Sequence, residues 1–190
     1  ELTFQTCAKT NVETLERYGV RKIIATCPHC FNSFRNEYPD FDGHYEVIHH
    51  TQLIADLIRD GRLRLRKDLA SLTYHDPCYL GRHNGVYDAP REVLQGLAQP
   101  GGFVEMERSR SKALCCGAGG GYAWMDDSPT SRINHMRLKD VRDSGADTAA
   151  VSCPFCMQMF DEALGARSSE GAIRVADIAE LVAEALEEEA

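Results

Sequence analysis

The sequence has no long hydrophobic run. Its apolar stretches are only a few residues each, too short for a membrane-spanning helix, and no segment reads as a secretory leader. It is also short of positive charge: 21 Lys and Arg stand against 29 Asp and Glu, a net charge of -8 that disfavours nucleic acid as a partner. No HExxH occurs, so the adjacent His49 and His50 do not form a hydrolytic zinc motif. The glycine-rich stretch after Cys116 lacks the GxxxxGK[ST] pattern of a phosphate-binding loop. What remains is a chain of 190 residues, 43% hydrophobic, long enough to bury a real core as one large domain or two small lobes.

Eight cysteines are present, and their spacing argues against a disulfide framework. Five are set as Cys78, the adjacent pair Cys115 and Cys116, and Cys153 with Cys156 in a CxxC. The two long gaps are 36 residues each, so the donors come from three separate loops. Five thiolates are too many for one tetrahedral zinc and suit an iron-sulfur cluster. A cubane needs four, so either one cysteine is spare or the cluster is opened so that a thiolate bridges irons. Neighbours such as Cys115 and Cys116 reach two corners of a compact cubane only with strain.

The chain repeats itself. YGVRKIIATCPHC at 18–30 aligns with SGADTAAVSCPFC at 144–156, an offset of 126, and QLIADLI from Gln52 aligns with ELVAEAL from Glu180, an offset of 128. Two matches in the same order predict duplicated lobes related by a pseudo-twofold axis. Projecting Cys78 and the Cys115–Cys116 pair back by the same offset puts their counterparts before residue 1. The expectation is therefore a truncated first lobe over 1–70 and a complete second lobe over 71–190. Cys27 and Cys30 in the first lobe would hold a second iron-sulfur cluster or a zinc in the intact protein. Cys7, in a predicted helix over 2–18, reads as a buried structural thiol.

Period and turn signals predict strands over 22–26, 45–49, 71–74, 102–106 and 148–152, with helices over 28–37, 51–59, 89–97, 129–143, 154–164 and 176–187. This is an α/β pattern with largely parallel sheets, and such sheets gather ligands beyond the carboxyl ends of their strands, where the cysteines fall. In SCPFC and TCPHC the proline starts a helix and leaves the first cysteine at its cap, facing free backbone N–H groups. Asp76 reads as the cap of a helix begun by Pro77, with Cys78 in its first turn. Gly117, Gly119, Gly120 and Gly121 let the backbone wrap closely and donate N–H groups, with Gly117, Gly119 and Gly120 the expected contacts.

Around this set, His75 and His83 flank Cys78 and are candidates to tune a cluster through hydrogen bonds, with Arg82 offsetting its charge. Of His49 and His50, one is expected to point inward and the other toward the lobe interface. Tyr79, Tyr122 and Trp124 are candidates to shield the centre, although a core position is the better expectation for Trp124. Arg108, Arg110 and Lys112 form a basic turn, either solvated surface or a dock for an acidic partner.

The pattern of one Cys, then CCG, then CxxC, at Cys78, Cys115-Cys116-Gly117 and Cys153-Cys156, resembles the cysteine-rich CCG domain of heterodisulfide reductases and related iron-sulfur oxidoreductases. The phrases TCPHCFNSFRNEYPDF, HHTQLIADL, HDPCYLGRHNGVYDAPRE and CCGAGGG resemble most the branch that oxidises electron-transfer flavoprotein. That resemblance implies two Rossmann-like lobes and a non-cubane [4Fe-4S] cluster held by Cys78, Cys115, Cys116, Cys153 and Cys156. It further implies upstream ferredoxin-like or membrane domains or subunits, electron-transfer flavoprotein as a redox partner, and electron flow toward a quinone. The implied location is cytoplasmic, or peripheral on the inner face of the membrane through a partner or further domains. The main alternatives are a zinc-stabilised assembly domain and a cluster-based disulfide reductase.

Overall fold

The structure, a computed structural model, describes residues 1–125, 132–165 and 173–186. Helix α1 (Leu2–Arg17) leads into β1 (Lys22–Ala25), α2 (Pro28–Asn32), β2 (Glu46–His49) and α3 (His50–Arg59). The second half runs β3 (Leu72–Tyr74), α4 (Cys78–Gly81), α5 (Asp88–Leu97), α6 (Ile133–Asp143), β4 (Thr148–Val151), α7 (Pro154–Gly165), β5 (Arg174–Asp177) and α8 (Ile178–Glu184). All the paired strands are parallel: β1 with β2 in one sheet, and β3-β4-β5 in the other. The chain is thus α/β with parallel sheets, as its alternating pattern predicts.

The repeat extends to register. Lys22 to Ala25 pair with Glu46 to His49, and Thr148 to Val151 pair with Arg174 to Asp177. These are the same residues shifted by the offsets of 126 and 128. Both second strands run straight into a helix through a reciprocal cap. The His49 ring accepts from the N–H of Thr51 while Gln52 Oε1 accepts from the N–H of His49 at 3.0 Å; Asp177 and Glu180 do the same for α8. Each cap satisfies N–H groups that the first helical turn cannot.

Several expected elements are redrawn. The helix expected over 176–187 begins with strand β5, because RVAD alternates toward the sheet before Asp177 caps the helix; Glu187 lies outside the described residues. The strand expected over 102–106 is only a bridge from Phe103 to Leu72. Helix 28–37 breaks after Asn32 into a π-helical turn (Ser33–Glu37), where Glu37 accepts from Asn32 and Ser33 at 2.8 and 2.9 Å. The helix expected over 129–143 is seen from Ile133, and residues 129–131 are outside the described set.

The three-stranded sheet is covered on both faces. On one side Leu72, Tyr74 and Ala150 meet Val93, Leu94 and Leu97 of α5 and Ile178 and Leu181 of α8, and Ala55, Ile54 and Ile58 of α3 join them. On the other, Ala149 and Val151 meet Leu138 and Val141 of α6 and Phe160 of α7. The period-two alternation of β4 explains the split. Because α3 belongs to the first repeat, the two repeats share a core and their strand ends are held in fixed relation.

Candidate metal centre

The segments carrying Cys27, Cys78 and Cys153 leave the carboxyl ends of β1, β3 and β4, and the Cys115–Cys116 pair lies in the loop after a 3-10 turn at Arg110–Lys112. Cys27 is the extended N-cap of α2, with Pro28 at the first helical position, and the N–H groups of His29 and Cys30 donate to its sulfur. Cys153 repeats this ahead of α7, receiving the N–H groups of Phe155 and Cys156. Proline lacks an N–H and fixes a helical φ, so the next two donors are left free for the thiol.

The turn after β3 differs from expectation. Pro77, not Asp76, is the N-cap of α4, and Asp76 makes no capping bond. Instead the buried Asp76 carboxylate takes a two-pronged hydrogen bond from Arg91 of α5, at 2.7 and 2.9 Å, and one from the backbone N–H of Arg110 at 2.7 Å. Arg91 also binds Glu105 at 2.5 and 2.9 Å. A charge removed from water needs this degree of pairing. The network fixes Cys78 relative to the stretch that leads into the double cysteine. Gly81 allows α4 to approach Tyr87, since a Cβ there would lie 2.4 Å from its ring.

At the double cysteine, the Gly117 N–H donates to Cys115 Sγ at 3.3 Å and the Ala118 N–H to Cys116 Sγ. Gly117 has φ +95°, and a Cβ would stand 3.2 Å from that of Ile133. Gly119 and Gly120 lie in the following 3-10 turn (Gly119–Trp124).

The thiols form one continuous line: Cys78 meets Cys115, Cys115 meets Cys116, Cys116 meets Cys156, and Cys156 meets Cys153. The line continues across the repeats, because Cys153 meets Cys27 and Cys27 meets Cys30. Within it, two sulfurs are shifted toward the charged form. Hydrogen bonds from the Cys116 and Cys78 thiols, with the Gly117 N–H, hold Cys115 well below the ordinary thiol range. Those from Cys156 and Cys27, with two backbone N–H groups, bring Cys153 down to about 4. The donors shift the other way: Cys116 is raised to about 12 by the Cys115 sulfur beside it, Cys27 to about 11 by Cys153 and burial, and Cys78 and Cys156 are raised by their sulfur neighbours and burial.

His75, buried at the end of β3, joins this patch: its ligating atom and those of Cys116 and Cys156 lie within 4.8 Å of one another, a group able to hold a metal ion. Its Nδ1 accepts from Arg137 Nε at 3.0 Å. Arg137 is wholly buried on α6 and was not singled out by sequence; the arginine three residues before Asp140, which it binds at 2.8 Å, was the available signal.

A row of rings edges the patch. Phe155 meets His29 at 5.2 Å, His29 meets Tyr79 at 4.3 Å, and Tyr79 stacks on His83 at 4.5 Å. Thus His29 of CPHC and Phe155 of CPFC meet from the two repeats, with Tyr79 beside them. Tyr122 is half-buried beyond the double cysteine. Trp124 is 85% exposed, not a core residue, because it closes a glycine-rich turn at the surface. Cys7 is likewise exposed rather than buried: α1 presents Ala8 and Val12 to the core, and Cys7 lies off that stripe. Arg82 donates to the carbonyl of Ala113, while Arg108 pairs with Asp140 and Arg110 with Asp88. His49 and His50 are both buried between the repeats, His50 lying 3.2 Å from Asp177 of the second.

Soft thiolate donors, backbone N–H groups aimed at sulfur and an unpartnered buried imidazole nitrogen fit an iron-sulfur cluster. Among the described residues, no helix is long and apolar enough to cross a membrane. The chain is 42% identical over 188 residues to the Bacillus subtilis (strain 168) protein named "Probable iron-sulfur-binding oxidoreductase FadF", covering 98% of this chain and 26% of that protein. It is 40% identical over 195 residues to the EtfAB:quinone oxidoreductase of Syntrophomonas wolfei, covering 98% and 27%. It is also 43% identical over 185 residues to one subunit of the dihydromethanophenazine:CoB--CoM heterodisulfide reductase of Methanosarcina barkeri, covering 94% and 44%. The chain therefore spans about a quarter to under a half of the length of these relatives, all of them oxidoreductases by name. The CCG profile, a cysteine-rich domain, matches residues 1–35 and 72–161, more than half of the sequence and one segment in each repeat, and on that match the chain belongs to the CCG family of cysteine-rich domains.

Proposed function

We propose that this chain is an iron-sulfur electron-transfer module of a larger oxidoreductase, with one [4Fe-4S] cluster held by Cys78, Cys115, Cys116, Cys153 and Cys156. The observation that carries this reading is the unbroken line of thiols drawn from three distant segments, two of them at parallel strand ends. When bound, such a cluster accepts and returns one electron at a time. The chain's own residues do the rest. The N–H groups of Gly117, Ala118, Phe155 and Cys156 offset negative charge on sulfur, the Asp76–Arg91 pair positions Cys78, and the Phe155–His29–Tyr79 rings limit access of water. Five donors with two adjacent favour an opened, non-cubane arrangement.

In this reading residues 71–190 form the cluster lobe and 1–70 belong to a first lobe, whose Cys27 and Cys30 serve a second cluster or a zinc together with donors from elsewhere in the protein. The likeness to the EtfAB:quinone oxidoreductase supports electron-transfer flavoprotein as donor and a quinone as final acceptor, with ferredoxin-like or membrane domains or subunits between them. The likeness to the Methanosarcina barkeri heterodisulfide reductase favours a second reading, disulfide reduction at the cluster.

The test is metal analysis of protein purified and reconstituted without oxygen. About four irons and four sulfides per cluster site are expected, with visible absorption and an EPR signal in one oxidation state. Cys153→Ser should lose that absorption and Cys7→Ala should keep it. Zinc in place of iron, or an unchanged spectrum in Cys153→Ser, would overturn the assignment.

A further inference from the structure

Histidines near a sulfur-rich centre either ligate metal or hydrogen-bond to sulfur, and the two roles need opposite states of the ring nitrogen that faces the centre. Here the remote nitrogen decides between them. Nδ1 of His75 lies 3.0 Å from Arg137 Nε, and a guanidinium only donates, so Nδ1 must present its lone pair. The arginine cannot turn away: its Nη1 is tied to Asp140 and to the carbonyl of Arg108, both at 2.8 Å, and it is fully buried. An imidazole whose Nδ1 accepts carries its proton on Nε2. That Nε2 has no hydrogen-bond partner among the described residues, and the residue is 1% exposed with its ring against Phe160 at 5.2 Å. One nitrogen of the ring lies within 4.8 Å of the Cys116 and Cys156 sulfurs, and Nε2 is the one not already engaged by Arg137.

We infer that His75 is a hydrogen-bond donor to sulfur at the Cys116–Cys156 side of the centre, and not a metal ligand, with Arg137 as the positioning residue that fixes its tautomer. The inference rests on the iron-sulfur reading above. A protonated nitrogen has no lone pair for a metal, and an N–H directed at cluster sulfur stabilises the more negative, reduced state, so His75 raises the reduction potential. The His75, Cys116 and Cys156 grouping is then two ligands and a donor.

Two measurements test this. In 15N-histidine-labelled protein holding its cluster, pulsed EPR should find only the weak nitrogen coupling of a hydrogen-bonded ring, and the strong coupling of a ligating nitrogen would overturn the inference without any variant being made. Redox titration at matched iron content should place His75→Leu at a more negative midpoint than the parent, His75→Gln, which restores an N–H donor, back toward the parent, and Arg137→Lys between parent and His75→Leu. An unshifted midpoint in His75→Leu would also overturn it. Protein that holds no iron would sink the cluster reading instead, and the 15N shifts of His75 in that metal-free protein would still report whether Nε2 carries the proton.

Discussion

At the residue scale, the centre depends on a few positions where only one side chain serves. Gly117 combines a positive φ, a crowded Cα and an N–H on Cys115, so Gly117→Ala should cost about 1–2 kcal/mol from backbone strain alone, with further loss from contact with Ile133. Denaturant unfolding of the metal-free variant checks the stability, and its iron content after reconstitution checks the site; full iron with parental stability would contradict the role given to this glycine. The thiols themselves were legible, because a cysteine spacing survives any error in drawing helices and strands. Exposure was not. Residue type and a predicted helix place Cys7 and Trp124 inside, whereas the stripe of α1 and the closure of a glycine-rich turn put them outside. Arg137 was hidden for a related reason: a buried arginine has no sequence signature apart from a partner such as Asp140.

At the element scale, the repeated strand-to-helix junction uses an aspartate cap in the second repeat and a histidine cap in the first. Burial, reinforced by the neighbouring His50 ring, pushes His49 down to about 3. Asp177 and the carbonyls of Thr26 and Ser152 oppose that shift, and the Phe31 ring covers one side. A base with a depressed folded value is neutral in the fold while the unfolded chain takes up a proton below about 6.5, so its contribution is complete above that pH and is lost as the pH falls toward 3. Stability of the metal-free protein should therefore fall below about pH 6.5, this one ring supplying up to about 1.4 kcal/mol per pH unit. His49→Asn keeps a capping acceptor and should flatten that slope; urea midpoints measured from pH 7 to pH 5 decide it, and an unaltered slope would clear His49 of the effect. The repeat was readable as sequence because caps and strand ends recur at fixed offsets. Strand β5 was missed because four residues that run directly into a capped helix share its apolar rhythm.

At the scale of the whole molecule, the two repeats are joined by the core that Ala55, Ile54 and Ile58 of α3 share with α5 and α8. They should unfold together: far-UV circular dichroism and the visible absorption of the bound cluster should be lost in coincident denaturant transitions, and two separated transitions would show the lobes to be independent. Parallel sheets and a ligand edge at the strand ends followed from the alternation of elements, but the meeting of Cys27 with Cys153 did not, since the docking of one repeat on the other is set by core shape rather than by local pattern. The line of thiols has a consequence for biogenesis. Its donors are spread from Cys78 to Cys156, and the last of them follow β4, the central strand of its sheet. A ribosome delivering this polypeptide releases the sulfurs of Cys153 and Cys156 last of the five. On the proposed reading, inorganic iron and sulfide are inserted only once that strand has docked, so that cofactor loading reports on the folding of the second repeat.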